Sequence, residues 1–137
     1  MFFNQLVAGD VLHRWKNGVW HLGIYMGNGS VLHNSPGEGE RTTSLQAYAA
    51  GQQIWAWQPE STDRAEIMHR AWEIIRNPKP YDHLTRNCEH TVFEAVKGEA
   101  KSPTVRKLLV GLGITTALVL CVVYSKEIAK ALRSVRK

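Results

Sequence analysis

Apolar and polar positions alternate through the first part of the chain and then change to a helical period. Residues 11–15 (VLHRW) read as a strand after the Gly9-Asp10 turn, and Lys16-Asn17-Gly18 as the turn that ends it. Residues 19–26 and 30–34 are rich in β-branched and aromatic side chains. Gly27-Asn28-Gly29 separates them and signals a hairpin. Residues 35–43 (SPGEGERTT) read as a polar loop, and Ser44 is placed to cap a short helix over 45–50, closed by Gly51. Residues 53–58 (QIWAWQ) alternate as another strand.

From residue 63 the spacing becomes three to four. Asp63 and Glu66 stand in capping-box positions, and Ile67, Met68, Ala71, Trp72 and Ile75 make one apolar stripe of a helix reaching about residue 76. Asn77-Pro78-Lys79-Pro80 ends it. A second helix is expected over 88–97, with Asn87 as N-cap and Gly98 behind it. Strands come first and helices after, which predicts an α+β fold: a small antiparallel sheet packed with helices.

Residues 108–125 (LLVGLGITTALVLCVVYS) contain no charge and are apolar on every face. A spanning helix needs about 17–25 such residues, so a C-terminal transmembrane helix is expected. Arg106-Lys107 precede the run and basic residues follow it. The division is a folded domain over 1–103 and an anchor with a basic tail over 104–137. The anchor would hold the domain at a membrane, on its cytoplasmic side. The first residues, MFFNQ, lack the pattern of a secretory leader.

Charge sharpens this division. The chain has 17 Lys and Arg against 12 Asp and Glu, yet only Glu127 among the acids lies beyond residue 103. The basic excess belongs to the tail, and the near-neutral domain gives no sign of a nucleic-acid face. Cys88 and Cys121 are the two cysteines, and no disulfide is expected between them.

The candidate chemistry lies in two stretches. In RNCEHTV (86–92), Cys88 falls at the first helical position, where free N–H groups and peptide dipoles favour a negative charge, so its thiol pKa should fall. A small buried cysteine is the plain alternative. His90 lies about 200° further round the helix and does not face Cys88. A nucleophilic Cys88 therefore needs a base from elsewhere. In WHLGIYMGNGSVLH (20–33), His21 and His33 bracket the hairpin. A two-residue turn at Asn28-Gly29, which the dipeptide favours, places His33 opposite Ile24 and His21 on the other face. A three-residue loop places His33 opposite Gly23, with His21 its diagonal neighbour and open space at Gly23 between them.

These stretches resemble the lecithin:retinol acyltransferase-like family, in particular its small phospholipase A and acyltransferase members. The resemblance rests on H-x-x-I-Y-x-G-x-G-x-x-x-H, here His21 to His33, and on N-C-E-H, here Asn87 to His90. It also takes in the leading Gly9-Asp10 and the C-terminal apolar run. It implies a permuted version of the NlpC-type, papain-like fold. It further implies Cys88 as nucleophile, His21 as general base and acid, and His33 as the group that orients or polarises His21, with both histidines on one face. The implied activity is a thiol phospholipase A and acyltransferase. A Cys88 thioester would form from a glycerophospholipid ester and pass its acyl group to water, an amine or a lipid alcohol. No metal or cofactor is implied, and the implied partner is the phospholipid membrane.

Two positions depart from the family pattern. Thr91 stands where Phe is common, and Val19-Trp20 precede His21 without the tyrosine of close animal members. Two alternative readings of the chain keep the fold: a cysteine peptidase or amidase, and a non-enzymatic membrane-binding or interaction module.

Overall fold

The computed structural model describes residues 6–59 and 63–134, with side chains as far as residue 120. The first five residues, the last three and the side chain of Cys121 lie outside the described residues. Two compact units divide at Ser102 and Pro103.

The first unit is built on five strands: β1 (Val11–Lys16), β2 (Val19–Gly27), β3 (Ser30–Ser35), β4 (Gly39–Ser44) and β5 (Trp55–Trp57). All pairings are antiparallel, in the order β4-β3-β2-β1-β5. The helices are α1 (Leu45–Ala49), α2 (Arg64–Arg76) and α3 (Cys88–Lys97). The α+β class with a small antiparallel sheet is thus as the sequence pattern indicates.

Successive side chains of a strand point to opposite faces. The adjacent pairs Val11/Leu12 and Val31/Leu32 therefore feed two cores. On one face Val11, Ile24 and Leu32 meet Ile67, Ala71 and Ile74 of α2 and Val92, Ala95 and Val96 of α3. On the other, Leu12 and Val31 meet Tyr48 of α1 and Ile54.

Three details differ from the sequence pattern. The stretch expected as a polar loop over 35–43 contains β4, an edge strand. Its threonines suit a pleated surface, and only β3 pairs with it, so its outer groups can stay polar. In α2 the buried line is Ile67, Ala71 and Ile74, and Trp72 is 47% exposed, so Trp72 is not a core residue. The hairpin keeps its two-residue turn, with positive φ at both Asn28 (49°) and Gly29 (71°). Its register is nonetheless the one expected of the longer loop: Gly23 faces His33 and Ile24 faces Leu32. A bulge between Tyr25 and Gly27, with Gly27 at φ 87°, absorbs the extra residue. Turn type and register are therefore separate choices here.

The second unit is α4 (Pro103–Ser134), which contains the charge-free run and extends beyond it at both ends. Its segment Pro103–Leu120 has a mean hydropathy of 1.4 and no buried residue, so it is long and apolar enough to cross a membrane.

Candidate active site

The bulged register puts His21 and His33 on the same face. Their rings meet edge to face, centroids 5.2 Å apart, and His21 Nε2 lies 3.2 Å from His33 Nδ1. Both are buried, and burial is the main force holding both neutral. It lowers His21 to about 3, helped by His33, Lys16 and Arg14. It lowers His33 to about 4, helped by Arg41, Lys16 and Arg14.

The hydrogen-bond chain then assigns the tautomers. The Thr43 hydroxyl donates to the Ser44 carbonyl (3.3 Å), so its oxygen accepts from His33 Nε2–H, also at 3.3 Å. His33 Nδ1 is consequently bare and accepts from His21 Nε2–H, with the Ser35 hydroxyl 3.1 Å away on the same nitrogen. That leaves the lone pair of His21 on Nδ1. Thr43 and Ser35 are not evident from sequence, where both fall in the stretch read as loop.

Tyr48 is the other residue that sequence does not expose. Its ring stacks on His21 at 5.5 Å and touches His33 at 5.6 Å, and its hydroxyl donates to the His21 carbonyl at 2.8 Å. The space expected at Gly23 is therefore filled. A Cβ there would lie 2.8 Å from Val31 Cγ1, 3.0 Å from the Leu32 carbonyl oxygen and 3.1 Å from Tyr48 Cε2.

Asn87 caps α3 as its position suggests: its side chain accepts from the Glu89 and His90 N–H groups. His90 Nδ1 accepts in return from the Asn87 N–H at 3.2 Å. A backbone N–H can only donate, so His90 is committed to a capping box. Cys88, at the first helical position, has its sulfur 4.0 Å from the Trp20 carbonyl oxygen and in reach of the Leu22 N–H. These two groups flank His21 along β2, while the His21 ring itself lies on the Tyr48 face; among the described residues no hydrogen bond joins it to the Cys88 sulfur. The expectation of a lowered thiol pKa is overturned. Burial raises it, and the Leu22 N–H and the helix-start N–H groups of Glu89 and Cys88 only partly offset that, with Glu89 adding to the rise. At neutral pH the resting pair is a thiol and neutral imidazoles.

No family model matches the sequence. Among curated proteins, human phospholipase A and acyltransferase 4 is 26% identical, with 84% of this chain and 84% of that protein covered. Human phospholipase A and acyltransferase 3 is 25% identical, covering 87% and 91%. Human phospholipase A and acyltransferase 2 is 26% identical, covering 80% and 82%.

The chain is similar to the phospholipase A and acyltransferase proteins.

Against that similarity, the departure at Thr91 has a local explanation. Thr91 is fully buried and donates to Glu40 Oε1 of β4 at 2.7 Å, while Asn34 Nδ2 donates to the Arg86 carbonyl at 2.9 Å. Glu40 also pairs with Arg86 and accepts from the Lys79 N–H. A large apolar side chain at 91 would leave the buried Glu40 short of a partner. The chain has built a polar strut between β4 and α3 instead. Trp20, the second departure, is half exposed beside Cys88.

Proposed function

We propose that this protein is a membrane-anchored thiol phospholipase A and acyltransferase acting on glycerophospholipid esters. The observation that carries the reading is that Cys88 Sγ rests against the β2 backbone on both sides of His21, whose Nε2 is held by His33. The histidine hairpin preceding the cysteine helix, with that helix packed on the sheet, supports the permuted papain-like reading of the fold. The long apolar α4 supports anchoring.

In this reading Cys88 is the nucleophile, His21 the general base and acid, and His33 the group that orients His21. The resting thiol gives its proton to His21 Nδ1 as sulfur bonds to the ester carbonyl carbon. Burial disfavours a standing thiolate, so proton transfer accompanies attack. The oxyanion is met by the Cys88 N–H at the start of α3. On collapse the C–O bond breaks, and the leaving lysolipid oxygen takes the proton back from His21. The acyl group remains as a thioester. Water, an amine or a lipid alcohol then attacks with its proton passing to His21, and the thiol is restored. His33 and Thr43 keep the lone pair of His21 on the nitrogen that must receive the proton.

The test is intact mass spectrometry after incubation with phosphatidylcholine vesicles. An acyl adduct on Cys88 is expected, absent in Cys88→Ala and strongly reduced in His21→Ala. Folded protein in vesicles that forms no adduct and releases no fatty acid would refute the activity. Turnover retained in Cys88→Ala would refute the mechanism.

A further inference from the structure

The helices do not cover the whole face of the sheet on which they pack. Pairing of Val11 with Ile24, His13 with Leu22 and Trp15 with Trp20 keeps all six on that face, and Trp55 joins them opposite His13. Val11 and Ile24 lie under α2 and α3, whereas Trp15, Trp20 and Trp55 are 46%, 48% and 39% exposed. The three indoles and His13 form one cluster centred on Trp20. Trp20 meets Trp15 at 5.0 Å, His13 at 5.1 Å and Trp55 at 5.4 Å, each edge to face, and Trp55 stacks on His13 at 5.8 Å. Edge-to-face and stacked contacts of this kind are mutually favourable, so the cluster is preformed. A contiguous exposed aromatic surface of this kind marks an interaction site.

The absence of acid narrows the partner. No carboxylate occurs between Asp10 and Glu38, and residues 51–59 carry no charge at all. Arg14 turns to the other face and is buried against Tyr48, so Lys16 at the end of β1 is the one partly exposed cation of the strands bearing the cluster. Nothing on these strands repels lipid phosphates. Indoles also suit a bilayer interface, with an apolar body and an N–H that stays wet. The Trp20 carbonyl is the group next to the Cys88 sulfur, so the cluster borders the thiol.

We propose that the Trp15–Trp20–Trp55 cluster is the surface by which the folded unit docks on a phospholipid bilayer, bringing Cys88 to the lipid. This rests on the membrane-anchored reading above, and its test separates the two. The full chain is reconstituted in vesicles of phosphatidylcholine and phosphatidylserine, with and without bromine on the acyl chains, as a variant keeping only Trp15 (Trp20, Trp55, Trp57 and Trp72→Phe). Flotation reports anchoring and bromine quenching reports docking. Docking predicts that Trp15 loses at least roughly half its emission in brominated vesicles. A chain that floats with unquenched Trp15 overturns docking and leaves anchoring standing; a chain that does not float overturns both. If the fourfold variant does not fold, the wild type answers the same question, since three of its five tryptophans belong to the cluster. Most of its emission is then expected to quench, and unchanged emission overturns the proposal. Quenching in a chain that never acylates Cys88 would support docking while refuting the activity.

Discussion

Gly23→Ala distinguishes an open site from a filled one by the sign of its effect. The new methyl would meet Val31 Cγ1 at 2.8 Å, the Leu32 carbonyl oxygen at 3.0 Å and Tyr48 Cε2 at 3.1 Å. Ordinary carbon–carbon contacts lie at about 3.5–4.0 Å, so each neighbour must retreat by about half an ångström. None can do so easily: Val31 and Tyr48 are fully buried, and the Leu32 carbonyl belongs to the ladder. Overpacking of this kind costs about 1–3 kcal/mol. Restricting the unfolded chain returns up to about 1 kcal/mol, because the backbone of Gly23 needs no positive φ. A net loss of about 1–2 kcal/mol lowers Tm by roughly 5–15 °C in a unit of this size. Thermal denaturation of the full chain in detergent measures it. In a Val31→Ala background the shortest contact disappears, and the added cost of Gly23→Ala should shrink by more than about 0.5 kcal/mol. An unchanged or raised Tm would mean that the space at Gly23 is open and Tyr48 does not hold the histidines.

Four further outcomes are expected. Replacing His90 by Ala should cost about 1 kcal/mol of stability and His90→Gln should recover part of it, with acyl-Cys88 still forming in both folded variants, because the ring caps a helix and takes no catalytic proton. Complete loss of the adduct in folded His90→Gln would contradict this. Thr43→Val should slow acylation by about three- to tenfold through one lost hydrogen bond to His33, and Thr43→Ser should restore it; equal rates in all three would remove Thr43 from the tautomer chain. His21 and His33 remain neutral when folded but titrate near 6.5 when unfolded, so the unfolded state binds more protons below that pH. Stability should therefore hold above pH 6.5 and fall as pH drops toward 4, read from urea midpoints, and a flat profile over that window would argue against their burial. In a Cys121→Ser background, alkylation of Cys88 by iodoacetamide should keep accelerating to at least pH 9; a plateau below pH 8 would show a standing thiolate.

Much of the site is legible in sequence because its parts are local. Asn87, Cys88 and His90 follow from capping rules and helix periodicity, and His21 and His33 from two strands joined by Asn-Gly. The remainder depends on contacts that no window contains. The bulge at Gly27 exchanges one regular ladder for another, and the apolar pattern does not choose between them. Tyr48 reads as one apolar residue of a short helix, yet it forms the wall of the histidine pair. β4 looks like loop because an edge strand can stay polar. The thiol departs from expectation for a different reason: the dipole at a helix start is visible in sequence, but the burial that outweighs it is not. Trp72 fits the apolar stripe of α2 yet is exposed, since Ile74 takes the inward position.

The bulged hairpin also bears on how folding fidelity is measured. Without the bulge, His33 would leave the face it shares with His21, while Val31 and Leu32 would simply trade cores, one aliphatic residue for another. The hydrophobic interior therefore discriminates weakly between a working hairpin and a slipped one. What discriminates is the polar end of β3, where His33 finds Thr43 and Asn34 finds the Arg86 carbonyl. A slipped molecule would keep its helices, its sheet and nearly all of its buried apolar surface, yet have no histidine pair. On the proposed mechanism, spectroscopic foldedness and catalytic competence are separate quantities, and the competent fraction would be counted by titrating Cys88 with an acyl donor.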